Sequence, residues 1–314
     1  MFIGHAMVAF AIAAALATRY GCSRERALAL SIAAGAFATV PDVDMSYAVF
    51  GLLQSSATGV LDATEAFWAT STLVHRVVTH SLLVGVIAAV GVFLLGRADA
   101  GAWWAVLAAG AVFTGLIAAA FTQSGLLGAA VMLAFVVAAI AVTLGMRRWA
   151  SLSPRALCAT ALVGFLSHPF GDLFTGSAPR LLYPLDVTVL AGRVTLHPDP
   201  TMHLLGAFLI ELATIWLALF VYLSLDGRSL NSYLNRRATL GGGYAAAAVL
   251  LPAPTLDTSY HFVFSVLALG AVGVRPRRPT NWALTEAHVL DATVTGLAAI
   301  TLAVVGYGVA YLAI

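Results

Sequence analysis

Four short stretches of this chain hold the side chains that a divalent cation asks for. They are His5 in GHAMVAF, Asp42 and Asp44 in PDVD, His75, Arg76 and His80 in HRVVTHS, and His168 with Asp172 in SHPFGD. Imidazole nitrogens and carboxylate oxygens suit zinc, manganese and iron alike. Each stretch borders a long apolar run, and ionisable residues at membrane depth are costly enough that a cluster of them marks a site. His168 and Asp172 stand four apart, so a helix presents both on one face, where they can share an ion or simply hydrogen-bond at the helix end. His75 and His80 stand five apart, roughly 140° around a regular helix, so His75 must reach in from the preceding loop if both are ligands. Arg76 and His80 share a face. The planar guanidinium of Arg76 matches a pair of phosphate or carboxylate oxygens, which assigns it as an anion clamp. Asp42 and Asp44 follow Pro41 at the C-terminal end of a helix, where carboxylates oppose the dipole, and local conflicts of this kind tend to fall at sites. Either can ligate while the other orients or deprotonates a water; Asp44 is assigned to the metal and Asp42 to the water. His5, His75, His80, His168 and Asp172 complete the ligand set. His197, His203, Asp257, His261, His288 and Asp291 are left outside it.

The elements that carry these residues follow from composition. Hydrophobic residues make up 61% of the chain, charged residues 10%, and mean hydropathy is +0.94, against about 25% charged in an ordinary soluble domain. This is the make-up of a polytopic, all-α membrane bundle. A formal charge of +2 is far from the dense basic surface that nucleic acid requires. Cys22 and Cys158 are isolated, which suggests neither a disulfide framework nor a thiolate metal site. The N-terminal apolar run lacks a basic leader and its arginines follow it, so it reads as a retained first helix.

Apolar runs long enough to span fall near 2–17, 27–41, 77–95, 103–121, 126–145, 156–174, 202–224 and 288–313. Residues 240–274 are broken by Pro252 and Pro254 and fit one kinked helix or a helical hairpin. Cytoplasmic loops collect arginine. With a hairpin there, thirteen of the sixteen arginines fall on one side, leaving only Arg76, Arg180 and Arg193 on the other. That favours about ten spans, with both termini outside and all four stretches at the outer membrane face. The connections 42–74 and 175–201 lie on that face and could lid a pocket; the second holds Tyr183, Pro184, Asp186 and His197.

The order GHAMVAF, PDVD, HRVVTHS, HPFGDLFTGSAPRLLYPLD resembles the YdjM-type family of inner-membrane metal-dependent hydrolases, over residues 1–186. The resemblance implies a hydrolase region there, with residues 187–314 as additional helices of the same bundle, and an inner-membrane location. A looser similarity, to the zinc phospholipase C and single-strand nuclease group, implies that His168 and Asp172 hold the core of a metal cluster. The expectation is a membrane-bound, metal-dependent hydrolase, zinc foremost with manganese or iron as alternatives. Its substrate would be a phosphoester such as a lipid head group, a lipid-linked phosphate or a small molecule, and its surroundings the lipid bilayer. A metal- or proton-coupled transporter is the competing class, and a structural metal staple a third.

Overall fold

The computed structural model describes residues 2–49, 53, 55–56, 58–71, 76–98, 102–274 and 285–314. His75 lies outside the described residues. The described residues are helical with no strand, and they form two compact units, Met1–Val194 and Thr195–Ile314.

In the first unit the helices are α1 (Phe2–Arg19), α2 (Arg24–Thr39), α3 (Val60–Ser71), α4 (Leu82–Gly96), α5 (Trp103–Ala150) and α6 (Pro154–Gly171). A 3-10 helix, Pro41–Tyr47, continues α2. Capping serines start the helices where the apolar runs begin. Ser23 accepts from the Arg26 N–H, Ser81 from those of Leu83 and Val84, and Ser153 from that of Ala156, with Pro154 in the first turn. Within the 42–74 connection the described residues include most of that 3-10 helix and α3, near whose start the Asp62 carboxylate accepts from the Thr58 N–H and hydroxyl.

α5 reads as 48 residues, about 72 Å if straight, but it folds back on itself. Gly125 has φ 65° and ψ −159°, a conformation essentially reserved for glycine. Phe113 packs on Gly91 of α4, while Arg147 donates to the carbonyls of Leu95 and Ala98. Positions 34 residues apart in α5 thus meet positions within about two turns of α4, which requires a reversal at Gly125. The two apolar runs 103–121 and 126–145 are therefore its two arms.

The same alternation governs the rest. α1 and α2 pack antiparallel, with Gly35 against Ala6, and α6 runs antiparallel to α4, with Gly85 against Phe165 and Gly96 against Pro154. Gly164 of α6 sits on the α2 backbone at Ala34 and Ala38. The start of α1, the end of α2, the start of α4, the reversal of α5 and the end of α6 consequently gather at one end of the unit. The core beneath them is Phe37, Phe113, Met132, Phe135, Leu157 and Phe165, with Phe165 centred 5.4 Å from Phe37 and 5.3 Å from Phe135. Val86, Val90, Leu107, Leu133 and Val137 face outward, as lipid-facing positions do.

The second unit contains α7 (Pro200–Ser224), a single turn α8 (Ala247–Leu250), α9 (Tyr260–Ala268) and α10 (Glu286–Ala313). Residues 236–250 and 256–273 are two helical arms packed along α10, the first running parallel to it and the second antiparallel. Gly241 meets Ala299 and Gly242 meets Gly306, whereas Gly270 meets Gly296 and Gly273 meets Ala292. Arg237 donates to the carbonyls of Gly273 and Val274, closing the open end. The segment thus doubles back around Pro252 and Pro254, as in the hairpin alternative.

Among the described residues, five helices, Arg24–Met45, Trp103–Ala150, Pro154–Phe174, Pro200–Ser224 and Glu286–Ala313, are long and apolar enough to cross a membrane. Shorter apolar helices run over Ile3–Arg19, Leu82–Gly96 and Tyr260–Gly273.

Candidate metal centre

The gathered helix ends deliver the four motif stretches to one place. His5 comes from the first turn of α1, Asp42 and Asp44 from the 3-10 helix after α2, His80 from just before α4, and His168 and Asp172 from the end of α6. His5, Asp44, His80, His168 and Asp172 are no more than 2% exposed, and only the Asp42 side chain, at 11%, reaches toward solvent. One ligand atom from each of His5, Asp42, His168 and Asp172 lies within 4.8 Å of the others. His80 stands among them, its Nε2 3.1 Å from Asp172 Oδ2 and 3.8 Å from Asp42 Oδ1.

His168 Nδ1 is 2.6 Å from the Ala38 carbonyl, an acceptor only, so Nδ1 carries the hydrogen and Nε2 presents a lone pair. His80 Nδ1 faces Asp44 Oδ2 at 3.5 Å and the Thr79 hydroxyl at 3.0 Å; in the neutral tautomer with Nδ1–H directed at the carboxylate, its Nε2 would also present a lone pair. Those two Nε2 atoms are only 2.9 Å apart, and Asp42 Oδ1 is 3.6 Å from His168 Nε2. A single shared proton joins two of these atoms, whereas a cation satisfies all of them. This pattern, Nε2 inward and Nδ1 held by a carbonyl or carboxylate, is how ligating histidines are oriented.

His5 stacks on His168 with ring centroids 3.9 Å apart, and its Nε2 lies 3.4 Å from Asp172 Oδ1. Neither ring nitrogen of His5 and not Oδ2 of Asp42 completes a hydrogen bond among the described residues. Buried polar atoms are rarely left so. Three carboxyl groups, those of Asp42, Asp44 and Asp172, surround the histidines, and the Arg76 guanidinium pairs with one of them, Asp172.

Several assignments shift. The HRVVTHS stretch is not helical from Arg76 to Ser81, so the face shared by Arg76 and His80 does not exist. Arg76 has φ 68°, and the turn is held by tertiary bonds. Its N–H donates to Asp44 Oδ2 at 3.3 Å, its carbonyl accepts from Arg180 N–H, and Ser81 donates to the Tyr183 carbonyl at 2.7 Å. The Arg76 guanidinium donates to Asp172 Oδ1 at 2.8 Å, to the Thr175 carbonyl, and to the Ser177 carbonyl at 3.2 Å. An arginine read as an anion clamp is thus engaged within the protein, because the end of α6 presents it with a carboxylate and free carbonyls. Asp44 and Asp42 exchange surroundings: Asp44 Oδ2 takes donors from Arg76, Thr79 and His80, while Asp42 joins the cluster. Thr79, which bonds Asp44 at 3.0 Å, was missed; nothing in a lone threonine signals it. Ser81 was legible as a serine immediately before an apolar run. His203 and His288, left aside from the sequence, make local contacts to the Leu196 N–H and the Thr285 hydroxyl.

Fold and site together describe a helical membrane protein with a buried cluster of His and Asp side chains whose ligand atoms are close enough to hold a cation. Residues 1–129 match the family model described as YdjM inner membrane protein, so the resemblance drawn from the motifs holds over that stretch, which ends before His168 and Asp172. No curated protein and no solved structure matches the chain.

Proposed function

We propose that the protein is a membrane-embedded, metal-dependent hydrolase of phosphoesters, with about ten spans and its site at the outer face. The two facing Nε2 lone pairs of His80 and His168, ringed by the carboxylates of Asp42 and Asp172, carry this reading. His5, His80, His168, Asp42 and Asp172 would hold the ion, a donor set that suits zinc and admits manganese or iron. A bound dication supplies Lewis acidity toward a phosphoryl oxygen and a lowered pKa for water. Asp42, the member nearest solvent, has Oδ2 free to accept the proton of an attacking water. Asp44 keeps His80 in the Nε2-inward tautomer, and Arg76 holds Asp172 so that Oδ2 faces the cluster. A phosphate would compete with Asp186, 3.3 Å away, for the guanidinium of Arg180, a residue whose backbone is bonded to Arg76 and whose side chain is 45% exposed. A transporter site is expected on broken helices at the midplane; a ligand set at the ends of α1, α2, α4 and α6 favours hydrolysis.

The test is phosphate release from p-nitrophenyl phosphate by the full-length protein in detergent. Activity lost to a chelator, restored by zinc or manganese, and reduced on the order of a hundredfold by Asp42→Asn is expected. Activity indifferent to both treatments, or none with metal supplied, would overturn the proposal.

A further inference from the structure

The two arms of α5 gauge an apolar layer. Trp103 and Trp104 open the first arm, Arg147, Arg148 and Trp149 close the second, and the reversal between them carries Thr122, Gln123 and Ser124. Between these limits the arms hold no charge and only two hydroxyls, those of Thr114 and Thr143. Each arm is about 30 Å long, the thickness of a bilayer's hydrocarbon. The helices that carry the cluster are shorter. Arg97 to Ser81 along α4 is roughly 24 Å, and Arg155 to His168 along α6 roughly 20 Å. Both are level with α5 at their arginine ends: the Arg97 guanidinium lies 5.8 Å from the centre of the Trp104 ring, Arg147 donates to the carbonyls of Leu95 and Ala98, and Gly96 meets Pro154. The cluster therefore stands about 6–10 Å short of the reversal. Tyr183 marks the same step, since its carbonyl accepts from Ser81 at 2.7 Å while its hydroxyl, at the far end of the side chain, stands 3.4 Å from that of Ser124. Large apolar side chains face outward at both levels. Ile3 and Phe170, each two residues from a cluster histidine, are 58% and 50% exposed, and Phe121 and Leu126 beside the reversal are 56% and 78% exposed.

We infer that the surface around the cluster lies against lipid acyl chains, so that the candidate metal centre sits inside the hydrocarbon layer, about 6–10 Å beneath its outer boundary. The extent of the apolar surface sets the occupant. Water at the level of the cluster would also bathe Phe121 and Leu126, further out on α5, whereas hydrocarbon up to residues 122–124 covers all four side chains and matches the length of both arms. A metal ion and a water then reach the centre from the outer side, where Asp42 is the cluster side chain most open to solvent. On the hydrolase reading above, the scissile bond has to descend beneath the head-group level to be cut; the depth itself depends on the membrane crossing alone.

The experiment places single nitroxides on the full-length protein, with Cys22 and Cys158 replaced by alanine, in phosphatidylcholine vesicles, and compares their collisions with oxygen and with a water-soluble nickel chelate. Ile3→Cys and Phe170→Cys are expected to favour oxygen and to read about 6–10 Å deeper than Gln123→Cys, with Val137→Cys, midway along its arm, deeper still. Nickel access at Ile3→Cys and Phe170→Cys equal to that at Gln123→Cys overturns the inference and puts the cluster at the aqueous surface. Little collision with either reagent at those two positions also overturns it, because a protein partner rather than lipid then covers them. Nickel access at Val137→Cys refutes the membrane crossing and the inference with it. Deep labels at Ile3→Cys and Phe170→Cys on a protein that releases no phosphate uphold the inference and refute the hydrolase reading alone. A label that lowers the thermal midpoint in detergent has disturbed the bundle; the other position then decides.

Discussion

Asp44→Asn separates two roles that the sequence left interchangeable. Asp44 Oδ2 is the common acceptor for the Arg76 N–H at 3.3 Å, the Thr79 hydroxyl at 3.0 Å and His80 Nδ1 at 3.5 Å. The amide keeps the shape and an acceptor oxygen but removes the charge that fixes the His80 tautomer. Such outer contacts are typically worth ten- to a hundredfold in metal affinity, or about 1.4–2.8 kcal/mol. Zinc titration of the apoprotein by competition with a chelating dye should therefore show Kd raised by roughly that factor, with the number of ions at saturation unchanged. Asp172→Asn should lower the saturating number itself, since Asp172 stands against His5, His80 and His168 and is buried on every side. Equal losses of stoichiometry in the two variants would return Asp44 to the ligand set, and a change of less than about twofold in Kd for Asp44→Asn would refute the orienting role.

Other perturbations probe the parts around this site. A Cβ on Gly171 would press into the His5 ring, so Gly171→Ala should weaken zinc binding about tenfold, while Gly145→Ala, in open space, should leave the same titration unchanged. Gly125→Ala puts a side chain into a glycine-only conformation at the α5 reversal and should cost ~1–3 kcal/mol, read as a lower thermal midpoint in detergent. Arg180→Ala should raise KM for a phosphate monoester on the order of tenfold with kcat little changed, as loss of one charge-assisted contact would; a fall in kcat alone would count against it.

Much of this was legible before the fold. Apolar runs located the helices within a few residues, and the interruption at Gly125 separated the two arms of α5, because span length and glycine are local properties. Convergence of His5, Asp42, His80, His168 and Asp172 also followed from alternating helix direction. What failed was the conformation of residues 76–81. Hydropathy extends the α4 run back to Val77, yet Arg76 takes φ 68° and the turn is held by Asp44, Arg180 and the carbonyls of Leu181 and Tyr183, partners from 32 to 104 positions away in sequence. The exchange between Asp42 and Asp44 has the same origin: two acids separated by one residue point apart, and only the partners brought by the turn decide which faces the histidines.

The central claim is that these helix ends hold a cation. Elemental analysis of the full-length protein, purified without added chelator, tests it against the double variant His168→Ala, Asp172→Ala. One or more equivalents of zinc, manganese or iron per wild-type chain, and a small fraction of that in the variant, is the expected result. Equal metal content in the two, or none in the wild type even after incubation with zinc, would contradict it.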